Sequence, residues 1–261
     1  SLQGNSATGG GAVGLLMADL ESAQFLASDE MFSNNSATSN GGAILIKSSN
    51  LFRGNSPTPT PIFWSNKTQF VLRNVTFDYN AARQGSGGAM YITPDLVTTS
   101  NAQENFHVAI SDNTFFKNWA QVSGAGLYVN ANAGVASLNS STFRENTCLV
   151  SGGAVYLQGS FDAVANNVSY WQNKADDSGI QAVVFMGGSS NTFLGQLRVS
   201  NISVHTYNKN TDGSTRIIHF SSLEALPSTG ELALNCLAGT AVISSVATNS
   251  TSGWSKYFHE L

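Results

Sequence analysis

Charge is scarce in this chain. Asp, Glu, Lys and Arg make up 11% of its 261 residues, against about 25% in an ordinary soluble domain. Amphipathic helices need Lys, Glu, Arg and Gln on their wet faces, so the shortage disfavours a helical bundle. The net charge is −4 and no run of like charges occurs, which argues against nucleic acid as a partner. Cysteine is nearly absent: Cys148 and Cys236 form no C-x-x-C pair and supply no disulfide framework. They read better as two separate buried thiols than as a bridge spanning several repeats. Long apolar runs are missing as well. The longest, Ala182 to Met186, falls far short of a membrane span. No positively charged start followed by an apolar core marks a signal peptide.

Small polar residues fill the gap. The sequence holds 35 Ser, 20 Thr, 26 Asn and 25 Gly. Its 15 Phe, 7 Tyr and 4 Trp supply enough apolar surface to argue against disorder. Together these describe an all-β protein with many tight turns and a Ser/Thr/Asn surface.

An internal repeat organises the chain. Its unit is aromatic-x-x-Asn-x-Ala, followed by Gly-Gly-Ala and a short apolar strand. One copy runs Phe32, Asn35, Ala37, then Gly41-Gly42-Ala43 and Ile44–Ile46. Others are Phe77-Asn80-Ala82 with Gly87-Gly88-Ala89, and Phe115-Asn118-Ala120 with Gly124-Ala125-Gly126. Phe143-Asn146-Cys148 precedes Gly152-Gly153-Ala154, and Tyr170-Asn173-Ala175 precedes Gly179. Partial copies stand at Leu2–Ala12, Phe52–Asn55 and Val204–Asn208. From Phe32 onward the aromatic slots lie 20 to 38 residues apart. So variable a period, without 3.6-residue patterning, suits stacked coils with fixed strands and variable loops.

On that model aromatics one coil apart stack at about 4.8 Å, the spacing of adjacent strands. Asn takes a left-handed corner and bonds the neighbouring coil, and paired Gly allows the next bend. Cys148 occupies the Ala slot and reads as a small buried residue. Asp29, Ser49, Asn74, Asp112, Ser140, Asn167 and Asn201 stand three residues before the aromatic. Thr76, Thr114, Thr142, Ser169 and Ser203 stand one before it. Both sets read as a polar ladder flanking the strand, each side chain beside its equivalent on the next coil.

The paired motifs, Phe-x-x-Asn and Gly-Gly-Ala-(Ile/Val/Met), resemble the repeats of the polymorphic membrane protein family of chlamydiae. Similar repeats occur in large surface or secreted proteins of other organisms. The resemblance covers about residues 2 to 185. It implies a right-handed single-stranded parallel β-helix, here of about nine coils, exposed outside the cell and doing adhesive or structural work.

The expected organisation is one domain. Residues 1–204 form the repeat region, expected to continue upstream of residue 1, and 205–261 form degenerate coils or a cap. Insertions near Pro57–Trp64, Thr93–Asn105 and Lys209–Ser214 are the expected contact loops, with Phe63, Trp64 and Tyr207 as interfacial aromatics. Seven Asn-x-Ser/Thr sequons are about what chance gives, and Asn66 and Asn249 are the candidate glycan carriers. The expected partners are neighbouring copies, other surface proteins or glycans. Axial self-association, up to a filament, would follow from an uncapped end that exposes strand edges. No cofactor is expected: the four histidines lack metal spacing and the Gly pairs belong to the repeat.

The rival reading is a polysaccharide lyase or glycoside hydrolase on the same fold. Asn210-Thr211-Asp212-Gly213 and Asp176-Asp177 resemble polygalacturonase-type motifs. Their order is reversed, however, no Gly-His-Gly exists, and Arg216-Ile217-Ile218 lacks the lysine. An ice-binding Thr array would need recurrent Thr-x-Thr, yet only Thr58-Pro59-Thr60 has that form.

Overall fold

A strand that must turn every few residues needs residues that tolerate a left-handed backbone, and this chain supplies them at fixed intervals. The computed structural model describes residues 1–17, 24–48, 68–93, 106–131, 134–159, 162–175, 183–187, 197–205, 215–220, 242–250 and 253–260. Every regular element among them is a β-strand.

One coil shows the plan. Thr68–Arg73 bends at Asn74 into Thr76–Asp78, then bends at Tyr79 into the short strand Ala81–Ala82. A third bend at Gly87 leads into Met90–Thr93. The next coil repeats this with Phe106–Ser111, Thr114–Phe116, Trp119–Ala120 and Leu127–Ala131. Each strand pairs in parallel with its equivalents one coil away, which builds sheets of 11, 5 and 9 strands. The protein is a parallel β-helix. The 11-stranded sheet carries the strands on both sides of the first bend, and they merge in Asp162–Trp171. In the 9-stranded sheet the parallel order ends at Thr215–Phe220, against which Gly253–Glu260 and then Val242–Ser250 pair antiparallel.

The aromatic slot fixes the register. Leu2, Phe32, Phe77, Phe115, Phe143, Tyr170 and Val204 lie opposite one another in succession. That makes seven rungs among the described residues. The partial copy at Phe52–Asn55 lies outside the described residues, and the strands on either side of it pair directly: Phe32 faces Phe77, Ala37 faces Ala82 and Ile46 faces Ile92. No rung fits between them.

Side chains alternate along each strand, so every second residue points into the coil. The Phe32, Phe77, Phe115, Phe143 and Tyr170 rings are buried and stack with centroids 4.5–5.4 Å apart. Beside them run the columns Phe70-Val108-Ala136-Ala163, Leu72-Ile110-Leu138-Ala165 and Ile46-Ile92-Val129-Leu157. A separate small-residue column holds Ala82, Ala120, Ala125, Cys148 and Ala175, which puts the Cys148 thiol in the Ala slot. Cys236 lies outside the described residues.

Two corners use positive φ at non-glycine residues. The first is Asp29, Asn74, Asp112, Ser140 and Asn167, with φ of 46–57°. These residues turn the strand and also bond from coil to coil: Asn74 Nδ2 donates to Asp29 Oδ1 at 2.7 Å, and Asn167 Nδ2 to Ser140 Oγ at 3.3 Å. The second is Asn34, Tyr79, Lys117, Glu145 and Gln172, with φ of 51–55°. Here the expectation is corrected: the left-handed residue is the one before the repeat Asn. The Asn itself stays buried and bonds the neighbouring coils. Asn118 Oδ1 accepts from the backbone N–H and Nδ2 of Asn80, both at 3.0 Å. Asn118 Nδ2 donates to the Phe77 carbonyl at 3.0 Å and to Asn146 Oδ1 at 2.9 Å. Asn35, Asn80 and Asn146 repeat this arrangement, and Asn173 Nδ2 donates to the Phe143 carbonyl. A left-handed L-residue costs on the order of 1 kcal/mol. The ladder offsets that by satisfying the buried groups the turn would otherwise strand.

Gly87 takes φ +68° at the third bend, and a Cβ on Gly88 would run into the carbonyl oxygens of Trp119 and Ala125. The Gly pair thus combines a turn with a close approach of coils.

Candidate interaction surface

The side chain after each inward aromatic points outward, and the next residue holds the left-handed corner. On successive coils this places Asp78 and Tyr79, Phe116 and Lys117, Arg144 and Glu145, then Trp171 and Gln172 along one edge of the helix. Register alone brings them together.

Tyr79 meets Phe116 edge to face, with centroids 5.7 Å apart and planes at 83°. Lys117 Nζ lies 4.9 Å from the Phe116 centroid and 5.5 Å from that of Tyr79. The Arg144 guanidinium sits 5.4 Å from the same Phe116 ring. Phe116 therefore has two cations within cation–π reach of its ring, a favourable arrangement for its quadrupole. Glu145 links them: Arg144 Nε donates to its Oε1 at 2.8 Å, and Lys117 Nζ lies 3.5 Å from its Oε2. A hydrogen bond to Tyr79 and the charge interaction with it, helped by Glu145, push the Lys117 ammonium above its ordinary value. The cluster faces solvent, with the Arg144 side chain 54% and Lys117 40% exposed. One carboxylate oxygen of Asp78, beside Phe116, is buried without a hydrogen-bond partner among the described residues.

A second outward column lies on the 9-stranded sheet. Tyr91, Tyr128 and Tyr156 stack with centroids 4.9 and 5.2 Å apart, and the Tyr128 hydroxyl donates to Gln158 Oε1 at 3.2 Å. Burial pushes all three hydroxyls up, Tyr128 to about 12 with help from its two neighbours. Because the rings cover one another's faces, this column presents edges and hydroxyls to solvent.

The sequence pointed elsewhere. Phe63, Trp64, Asn66 and Tyr207 lie outside the described residues, as do Asp176-Asp177 and Asn210–Gly213. Asn249 lies in the terminal hairpin opposite Trp254. The Lys117–Arg144 cluster was missed because its members belong to three copies of the repeat. The available signal was the pair of residues after each aromatic, whose types are uncorrelated until the coils are stacked. Among the described residues no group of three or more His, Cys, Asp or Glu could hold a metal ion.

The model of the Chlamydia polymorphic membrane protein (Chlamydia_PMP) repeat matches residues 31–47. That segment contains Phe32, Asn35, Gly41-Gly42-Ala43 and Ile44–Ile46. The chain carries a polymorphic membrane protein-type repeat. The match is to one short copy, and the register extends the same plan to the coils stacked on it. No curated protein and no solved structure matches the chain.

Proposed function

We propose that this protein is a non-catalytic β-helix of the cell surface or extracellular space, working as a scaffold or adhesin. Its stacked coils form a stiff support, and its insertions and outer edges meet neighbouring copies, other surface proteins or glycans. One observation carries this reading. The matched polymorphic membrane protein-type repeat recurs in register, so that each copy spends its distinctive residues on stacking. Aromatic, Asn and Gly-Gly positions all point inward or into turns, which leaves the outer positions free to vary. Such an arrangement suits display rather than a fixed reaction centre.

Surface biotinylation of intact cells producing the full chain tests the location. Labelling before lysis is the expected result, and labelling only after lysis would overturn it. Incubation with acidic and neutral polysaccharides tests the work. New reducing ends or unsaturated products would replace the scaffold by an enzyme.

A further inference from the structure

We propose that the outer face of the 9-stranded sheet packs against the same face of a second copy of this chain, forming a closed dimer about a two-fold axis. This rests on the scaffold reading and specifies one contact of the scaffold with a neighbouring copy. The outward positions of the sheet fall into two columns. One is Leu45, Tyr91, Tyr128 and Tyr156, in direct register. The other, two residues further along each strand, is Lys47, Thr93, Asn130 and Gln158, with Leu16 opposite Lys47 at its end. These side chains are half-buried or exposed, Leu16 being 59% exposed, and among the described residues no element packs over them.

Charge sets this face apart. The six parallel strands from Val13–Met17 to Val183–Gly187 carry one charged residue, Lys47. The outward positions of the 11-stranded sheet, by contrast, hold Arg73, Asp78 and Arg144. A face rich in tyrosine and poor in charge has the composition of an interface core.

Area and period select a second copy as the partner. Six strands about 4.8 Å apart and about five residues long, at about 3.3 Å per residue, make a patch of about 29 by 16 Å. With side-chain relief added, it approaches the roughly 600–800 Å² per partner that a stable interface buries. The tyrosine edges stand as ridges one strand spacing apart. A flat surface with grooves at that same spacing is another stack of these coils, and two such sheets pack face to face. The rings are held by one another, and Tyr128 by Gln158, so docking them costs little side-chain freedom. Because both copies use the same patch, assembly closes at two, whereas stacking through strand edges would continue.

Sedimentation equilibrium of the full chain, from low micromolar concentration upward, tests this. A monomer–dimer equilibrium with no larger species is expected. N130R places a cation at the centre of the face in both copies and leaves the tyrosines in place, so it is expected to weaken the dimer by about tenfold or more. L16R repeats the test at a more exposed position of the same face. T114R, outward on the 11-stranded sheet, is expected to change nothing. Circular dichroism confirms that each variant keeps its fold. A monomer throughout, species larger than a dimer, or a dimer as tight in N130R and L16R as in the unmodified chain would overturn the assignment. Surface labelling of intact cells together with a monomer would sink this inference alone and leave the scaffold reading standing.

Discussion

Asn118 holds Asn80 twice: its Oδ1 accepts both the backbone N–H and the side-chain amide of Asn80, each at 3.0 Å. Two coils are clamped by one buried oxygen. N118A strands both Asn80 donors and the Phe77 carbonyl, all in the dry interior. The expected cost is about 3–5 kcal/mol, read from the urea midpoint. N118D is also expected to destabilise, because a carboxylate has no N–H for the Phe77 carbonyl and faces Asn146 Oδ1.

Tyr170 ends the run of stacked rings as the tyrosine in a column of phenylalanines. Its ring is buried against Phe143, and its hydroxyl has no partner among the described residues. Burial raises that hydroxyl well above its ordinary value. Y170F removes an unsatisfied polar group and keeps the ring, so it is expected to stabilise the protein by about 1 kcal/mol. A loss of stability would show that the hydroxyl is bonded.

The Gly pairs make a prediction by contrast. A Cβ on Gly88 collides with the carbonyls of the next coil, whereas one on Gly14 meets only the Gly9 oxygen at 3.6 Å. G88A is expected to lower the melting temperature sharply, because both obstructing atoms are backbone. G14A is expected to be neutral or slightly stabilising.

The tyrosine column sets an alkaline limit. Tyr128 has its hydroxyl held at about 12 by burial first and then by Tyr91 and Tyr156. A group whose folded value lies above its ordinary 10.0 contributes stability that is complete below pH 10 and lost as pH rises to about 12. The urea midpoint is therefore expected to fall across that window. In Y128F the fall is expected to be shallower.

The stacking was legible in the sequence wherever one residue type had one job. Phe32, Phe77, Phe115, Phe143 and Tyr170 fall into one column because an inward ring needs a ring above it. Cys148 could be placed in the Ala column because that slot is small in every copy. The first corner was half legible: Asp29, Asn74, Asp112 and Asn167 are types that tolerate positive φ, and Ser140 disguised the rule. The second corner was not. Tyr79, Lys117, Glu145 and Gln172 share no chemistry, since this corner is bonded to the next coil through its backbone, as Tyr79 N–H is to the Phe116 carbonyl and Lys117 N–H to that of Arg144, and the side chains are free to differ. That freedom also hid the cluster around Phe116, whose contacts join residues from separate copies. Phe52–Asn55 lies outside the described residues, and Phe32 pairs directly with Phe77.

The β-helix register requires each repeat to be one coil stacked directly on the next. Met31, Thr76, Thr114, Thr142 and Ser169 occupy five successive rungs at the same outward position. Spin labels on M31C and S169C, in a background with Cys148 and Cys236 replaced by alanine, measure the stack across four steps. A single narrow distance near 19 Å is expected, four strand spacings of about 4.8 Å each. A distance near twice that value, or a distribution with no dominant peak, would contradict the β-helix register.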